Sequence, residues 1–359
     1  MDITQLLQFS HQQEASDLHI SAGEPPMLRV HGDMKRIKVP ALSPEETVKM
    51  VYDVMGDNQR RTFEERSELD FSMQLGELAR FRVNVFRQNR GVGAVFRKIP
   101  TTILSLEELG MPAILADISR REKGLVLVTG PTGSGKSTTL AGMIDLINSE
   151  LEGHILTIED PIEFVHRSKK CLVNQREVGP HTQSFNNALR AALREDPDIV
   201  LVGELRDLET IQLALTAAET GHLVFGTLHT SSAPKTVDRV IDVFPPNQQA
   251  QVRAMFAESL QAVITQTLCK KTGGGRVAAL EIMIGTTAVK NLIREGKIHQ
   301  LPGVIQTSQN VGMQTLEMHL HDLVQRGLIS RQAAIEKSGN AEMFREADQS
   351  LAAPGRQGR

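Results

Sequence analysis

Residues 125–140 read Leu-Val-Leu-Val-Thr-Gly-Pro-Thr-Gly-Ser-Gly-Lys-Ser-Thr-Thr-Leu, and the fold turns on this stretch. Leu125 to Val128 form an apolar run that reads as a buried strand. Gly130-x-x-x-x-Gly135-Lys136-Ser137 follows and matches G-x-x-x-x-G-K-[ST]; Leu140 to Ile147 continues as an apolar helix. Strand, glycine-rich turn and helix in that order turn a string match into a phosphate cradle. Gly130, Gly133 and Gly135 let the backbone turn tightly with its N–H groups inward, and the helix beginning near Lys136 adds its positive dipole end. Lys136 is expected on the β- and γ-phosphates of a nucleoside triphosphate, and the Ser137 hydroxyl on Mg²⁺. Thr132, Ser134 and Thr138 complete the expected binding loop.

Outward from this stretch, the chain alternates strands and helices from residue 124, the pattern of a parallel α/β sheet. Strands are predicted at 125–129, 155–158, 198–202 and 222–227. A helix over 185–195 is ended by Asp196-Pro197, and one over 207–220 starts at Asp207 and stops at Gly221. Beyond 245 the pattern predicts a long helix over 247–270, a Gly273-Gly274-Gly275 turn, a strand over 276–284 and three shorter helices.

Upstream, Ser43-Pro44-Glu45-Glu46 is a capping box with proline at the first helical position. Leu69 to Val95 reads as strands, with Phe81, Val83 and Val85 alternating with Arg80, Arg82, Asn84 and Phe86. Gly91-Val92-Gly93 marks a bend before a further strand, Ala94 to Ile99. The expected organisation is a small N-terminal α/β domain over 1–100, a linker over 101–115, a nucleotide-binding domain over 116–345 and a disordered tail over 346–359.

Composition narrows the class. At 359 residues, two domains are expected rather than one. A net charge of −3 gives no global pull toward nucleic acid, and with no Trp and one Tyr an aromatic base-stacking platform is not expected. Cys171 and Cys269 lie far apart without a Cys-x-x-Cys pair, which excludes a zinc ribbon and fits a reducing cytoplasm. No signal peptide and no apolar run near 18 residues is found, so membrane association is expected only through a partner protein.

Ligands of parallel sheets bind beyond the carboxyl ends of the strands. Three strands here end in polar groups at that edge: Glu159-Asp160-Pro161-Ile162-Glu163, Gly203-Glu204 and Leu228-His229-Thr230. Glu204 closes a Walker-B-like run and is a candidate Mg²⁺ ligand through water; Glu163 or Glu159 is the candidate to orient or deprotonate the attacking water. His222 and His229 bracket one strand, roughly 23 Å apart at about 3.3 Å per residue, so a straight strand lets only one reach a γ-phosphate. His229, at the carboxyl edge, is the expected phosphate sensor; His222 either caps the preceding helix or acts at a subunit boundary. Arginines supply charge relief in such sites, and Arg80, Arg82, Arg87, Arg90 and Arg97 are candidates to reach a neighbouring subunit's nucleotide. Arg190 and Arg194, at i and i+4 on the helix over 185–195, form a second pair.

The runs at 130–139, 155–164, 194–204 and 220–230 resemble, in order, the Walker A, Asp, Walker B and His boxes of the type II/type IV secretion ATPase superfamily. Within it the chain is most similar to the type IV pilus retraction ATPases, from about residue 1 to about residue 338. The resemblance implies a homohexamer whose subunits each hold an N-terminal PAS-like domain and a C-terminal RecA-like domain. It implies ATP hydrolysis that drives pilin removal from the fibre base through an inner-membrane platform protein, at the cytoplasmic face of that membrane, with other pilus ATPases as further partners. Carried over by position, Lys136 and Ser137 hold phosphate and Mg²⁺. Glu163 is the catalytic glutamate, Glu204 the Walker B glutamate, and His222 and His229 the His-box pair. Arg82 and Arg97 stand where the family's arginine fingers lie. Ala-Val-Lys-Asn-Leu-Ile-Arg-Glu at 288–295 resembles a retraction-specific motif, departing at Val289 and Lys290. The four-cysteine zinc site and extra N-terminal domain typical of extension motors are missing, which favours retraction. The competing readings are an accessory retraction or other secretion ATPase, a nucleotide-switched scaffold without turnover, and a DNA translocase.

Overall fold

The computed structural model describes residues 2–30, 32–76, 79–99, 102–339 and 342–345. Two compact units emerge: Met1–Thr102 with Glu163–Val165, and Ile103–Ile162 with His166–Arg359.

In the first unit, strands β1 (Asp17–Ser21), β2 (Met27–Val30), β3 (Asp33–Arg36), β4 (Glu68–Leu75), β5 (Ala79–Gln88) and β6 (Gly91–Ile99) form an antiparallel sheet ordered β3-β2-β1-β6-β5-β4. The alternation over 79–86 comes out as expected: Ala79, Phe81, Val83 and Val85 are buried, and the arginines between them are half-exposed. These apolar residues pack with Leu6, Leu7, Phe63 and Phe96 into one core. The capping box at Ser43 forms, its hydroxyl accepting from Glu46 N–H while the Glu46 carboxylate accepts from Ser43 N–H. The expected bend at 91–93 is absent. Gly91 to Ile99 is one strand, and the chain reverses at Asn89 and Arg90, where Gly91 takes φ +133°.

The second unit is built on β7 (Gly124–Thr129), β8 (His154–Glu159), β9 (Leu172–Glu177), β10 (Ile199–Val202), β11 (Leu223–Leu228), β12 (Leu260–Lys270) and β13 (Arg276–Ile284). The sheet runs β13-β12-β7-β11-β10-β8-β9, parallel throughout except for antiparallel β13. All residues of β7, β10 and β11 are buried, as strands covered on both faces must be.

Three expectations for this unit need correction. The segment 247–270 is not one helix: the helix Pro246–Ser259 gives way at Leu260 to β12. β12 is buried on both faces over most of its length, so its apolar residues run together without a period of two. Such a run is indistinguishable by pattern from a buried helix, and no Gly or Pro marks the junction. The helix expected over 185–195 stops at Ala192, because Arg194 and Glu195 already donate three residues back, to Ala191 and Ala192, and Asp196 takes φ +54° before the proline. After β13, five α-helices rather than three occur among the described residues, Thr287–Arg294, Leu301–Thr307, Leu316–Gln325, Arg331–Lys337 and Glu342–Arg345, with short 3₁₀ turns at Ile298–Gln300 and Gln309–Val311. The tail over 346–359, and Pro100 and Thr101 ahead of and within the expected linker, lie outside the described residues. No helix among the described residues is long and apolar enough to cross a membrane.

Candidate nucleotide site

The carboxyl ends of β7, β8, β10 and β11 lie within about two residues of one another: Thr129 pairs with Leu228 on one side and with Thr265 of the longer β12 on the other, while Val202 pairs with Gly226 and Ile158. The chain therefore leaves β7, β8, β10 and β11 along one edge, and the candidate residues gather there.

The loop after β7 has the conformation its glycines predict. Gly130, Gly133 and Gly135 take φ of +139°, +79° and +89°, and Gly135 precedes the helix Lys136–Glu150. At Gly130 the constraint is also steric, since a Cβ there would collide with the Gln266 carbonyl oxygen. Lys136 is buried, and its Nζ donates to the carbonyls of Gly130 at 2.8 Å and Pro131 at 3.2 Å. These are the contacts a phosphate would replace. Ser134 Oγ is buried and without a hydrogen-bond partner among the described residues, a donor with no acceptor inside an anion cradle.

His229 joins the two halves of the site. Its Nδ1 lies 3.5 Å from Lys136 Nζ, and its Nε2 lies 3.1 Å from Glu204 Oε1. An ammonium can only donate, so Nδ1 accepts and the ring proton sits on Nε2, facing the carboxylate. Glu204 Oε2 meets Arg206 at 2.7 Å. That contact, opposed by burial and assisted by His229, holds the Glu204 carboxyl below its ordinary range. Glycine permits this crowding: at Gly226 a Cβ would strike Leu205, which follows Glu204, at 2.7 Å.

Glu159 lies at the same edge, its Cα 3.3 Å from where a Cβ on Gly203, the neighbour of Glu204, would stand. Glu159 is buried, its Oε1 accepting from Thr157 Oγ1 at 2.7 Å and Gln175 Nε2 at 3.1 Å. Glu163 is exposed, just past Ile162. His222 sits at the opposite edge of the sheet, where its carbonyl accepts from Gly124 N–H at the start of β7. It caps the helix Leu208–Glu219: its backbone N–H and ring Nδ1 reach the Ala217 carbonyl at 3.1 and 2.9 Å, around Gly221 at φ +115°. Of the two roles left open for His222, this geometry is helix capping.

Arg190 pairs with Glu209, and Arg194 lies exposed beyond the helix end rather than one turn along it. Arg82 and Arg97 are register partners on β5 and β6 in the first unit. Arg97 Nε bonds the buried Asp17 at 2.8 Å. Burial works to raise the Asp17 carboxyl, but the bonds from Arg97 and Ser16 prevail and lower it.

Besides Arg206, two site residues on β12 carry no motif. Gln266, on β12, is buried and donates from Nε2 to the Ser134 carbonyl at 2.7 Å, and Thr265 Oγ1 lies 2.8 Å from Thr129 Oγ1. Together they latch the phosphate loop to the neighbouring strand. The available signal was two polar residues inside an otherwise apolar run, visible only if that run is read as a strand paired with β7 up to Thr129. Beside the loop lies a cavity of about 340 Å³ lined by Met111, Gly135, Thr138, Gln266, Leu268 and Val277, among others.

A parallel sheet with a glycine-framed phosphate loop and a Lys–His–Glu chain at its carboxyl edge defines a P-loop ATPase with a RecA-like core. The chain belongs to the family described as Type II/IV secretion system protein, whose model matches residues 1–357. It is 64% identical over 344 residues to the "Type IV pilus retractation ATPase PilT" of Pseudomonas aeruginosa, covering 96% of this chain and 100% of that one. It is 60% identical over 318 residues to a "Twitching motility protein" of Neisseria gonorrhoeae, covering 88% and 85%. A crystal structure of the pilus retraction motor PilT with bound ADP superposes with a TM-score of 0.91 at 48% identity, covering 96% of this chain and 99% of that one.

Proposed function

We propose that the chain is an ATP-hydrolysing motor that drives type IV pilus retraction as a homohexamer, docked on an inner-membrane platform protein at the cytoplasmic face. The observation that carries the reading is the contact chain Lys136–His229–Glu204 at the phosphate loop. The names and the ADP-bound structure of its relatives support the substrate and the task. On this reading the triphosphate displaces the Gly130 and Pro131 carbonyls from Lys136, Ser134 Oγ gains its acceptor, and the base enters the cavity beside Thr138 and Leu268.

Among the described residues no cluster of three or more His, Cys, Asp or Glu is able to hold a metal, so Mg²⁺ would depend on the phosphates themselves. Ser137 and, through water, Glu204 would hold it, and it would offset charge on the transferring phosphoryl group. Because His229 touches both Lys136 and Glu204, loss of the γ-phosphate is felt at both ends of the chain. Glu163, or Glu159 in its place, serves as the base for the attacking water, and Arg82 and Arg97 complete the next protomer's site. The proposed division is an N-terminal domain over 1–100, a linker over 101–115 and an ATPase domain over 116–345, with residues 103–115 grouping with the second unit.

Steady-state phosphate release by Lys136→Ala tests the site, and complementation of twitching in a retraction-deficient strain tests the task. We expect loss of both. Parental turnover by the variant refutes the assignment.

A further inference from the structure

We infer that Glu281 is a positioning residue for hydrolysis, holding the loop that carries His229 in place against the phosphate-loop strand. The inference rests on the reading of His229 given above.

Glu281 lies on β13 opposite Thr265 of β12, and Thr265 lies opposite Thr129, the last residue of β7. Residues paired across neighbouring strands project to the same face. A row of three polar side chains therefore crosses the sheet one residue before Gly130, and its inner two members are hydrogen-bonded to each other. At the outer end, Glu281 Oε1 accepts the backbone N–H of Ala233 at 2.6 Å. Ala233 is the first residue of the helix Ala233–Asp242. That helix begins four residues after His229, and the connection is stiff: Thr230 Oγ1 bonds Thr236 Oγ1 at 2.6 Å, and Ser232 caps Lys235 N–H. A displacement of Ala233 is thus passed directly to His229.

The choice of a carboxylate is informative. Burial, with Glu317 nearby, pushes the Glu281 carboxyl up, so an ionisable group here costs folding energy that a packing residue would not. A helix N-terminus is the partner that offsets this, since its N–H groups lack intrahelical acceptors and its dipole favours negative charge. The post on which Glu281 stands is firm. From the outer edge of β13, His319 Nδ1 accepts Leu280 N–H at 2.9 Å, and Gln314 Nε2 donates to the Leu280 carbonyl at 3.0 Å.

The test is a double-mutant cycle on steady-state phosphate release by the full chain, using Glu281→Ala, Glu281→Gln, His229→Ala and their combinations. Glu281→Ala is expected to lower kcat about tenfold or more while KM for ATP stays within about twofold. Glu281→Gln, which keeps an acceptor oxygen, recovers most of the rate. In the His229→Ala background, Glu281→Ala adds little, because both changes act through one imidazole. Strictly additive losses, or an unchanged kcat in a folded Glu281→Ala protein, overturn the inference. If Glu281→Ala does not fold, Glu281→Asp takes its place in the same cycle and additivity decides. If His229→Ala alone leaves kcat unchanged, the reading of His229 falls and this inference with it. If His229→Ala is impaired and Glu281→Ala is not, only this inference falls.

Discussion

Replacing Gln266 by leucine tests whether the phosphate loop depends on the strand beside it. The side chain is 2% exposed and its amide donates to the Ser134 carbonyl at 2.7 Å. Leucine nearly preserves volume and also removes the buried Oε1, which has no partner among the described residues, so the loss is the Nε2 hydrogen bond and the satisfaction of a buried carbonyl, partly offset. Leaving such a group unmade costs about 1–3 kcal/mol, or about 5- to 150-fold in an equilibrium constant. The loop must keep its N–H groups inward to bind phosphate, so the penalty falls on nucleotide affinity before it falls on the chemical step. Titration of Gln266→Leu with fluorescent ADP is expected to give a Kd raised at least fivefold, with a modest fall in Tm. Ionised glutamate cannot donate, so Gln266→Glu is expected to be at least as weak, with added repulsion of phosphate. An unchanged Kd in Gln266→Leu, with Tm also unchanged, refutes the latch.

Other consequences are independent of this one. His166 is buried with Nδ1 unpartnered among the described residues, and desolvation lowers its pKa from 6.5 to about 4. The unfolded chain therefore takes up this proton first, and the fold loses stability as pH falls from 6.5 toward 4, by up to about 3 kcal/mol. His166→Gln, followed by urea denaturation across that range, is expected to flatten this slope; an unchanged slope contradicts it. His222→Ala removes one bond to the Ala217 carbonyl but leaves the backbone cap, so we expect a loss of about 0.5–1.5 kcal/mol in stability with turnover within about twofold of the parent. A collapse of kcat would instead place His222 at a working subunit boundary. Gly130→Ala, at φ +139° and against the Gln266 carbonyl, is expected to abolish nucleotide binding in the same ADP titration, whereas Gly133→Ala meets no neighbouring atom and carries only the backbone strain of its positive φ.

Much of the core was legible because its residues obey local rules. The three loop glycines, the capping box at Ser43, Asp207 and Gly221 around their helix, and the alternation from Ala79 to Val85 each announce one conformation on steric or hydrogen-bonding grounds alone. His229 could be told from His222 by distance along a single strand. What escaped depends on tertiary burial. β12 looks like a helix because both of its faces are covered over most of its length, and with it Thr265 and Gln266 were hidden. β9 was missed because an edge strand bearing Asn174, Gln175 and Arg176 has no apolar period. Arg206 and Glu281 have no motif at all. Their significance arises only when Leu205 packs over Gly226 and Glu204 meets Arg206, and when Ala233 begins its helix against β13.

A structure of the full chain with an ATP analogue and Mg²⁺ bears on the central claim most directly. Phosphates are expected inside the Gly130–Ser137 loop, with Lys136 Nζ transferred to them from the Gly130 and Pro131 carbonyls, and His229 still within reach of Glu204. Nucleotide bound elsewhere, or a lysine that keeps its carbonyls while the phosphates lie outside the loop, would contradict it.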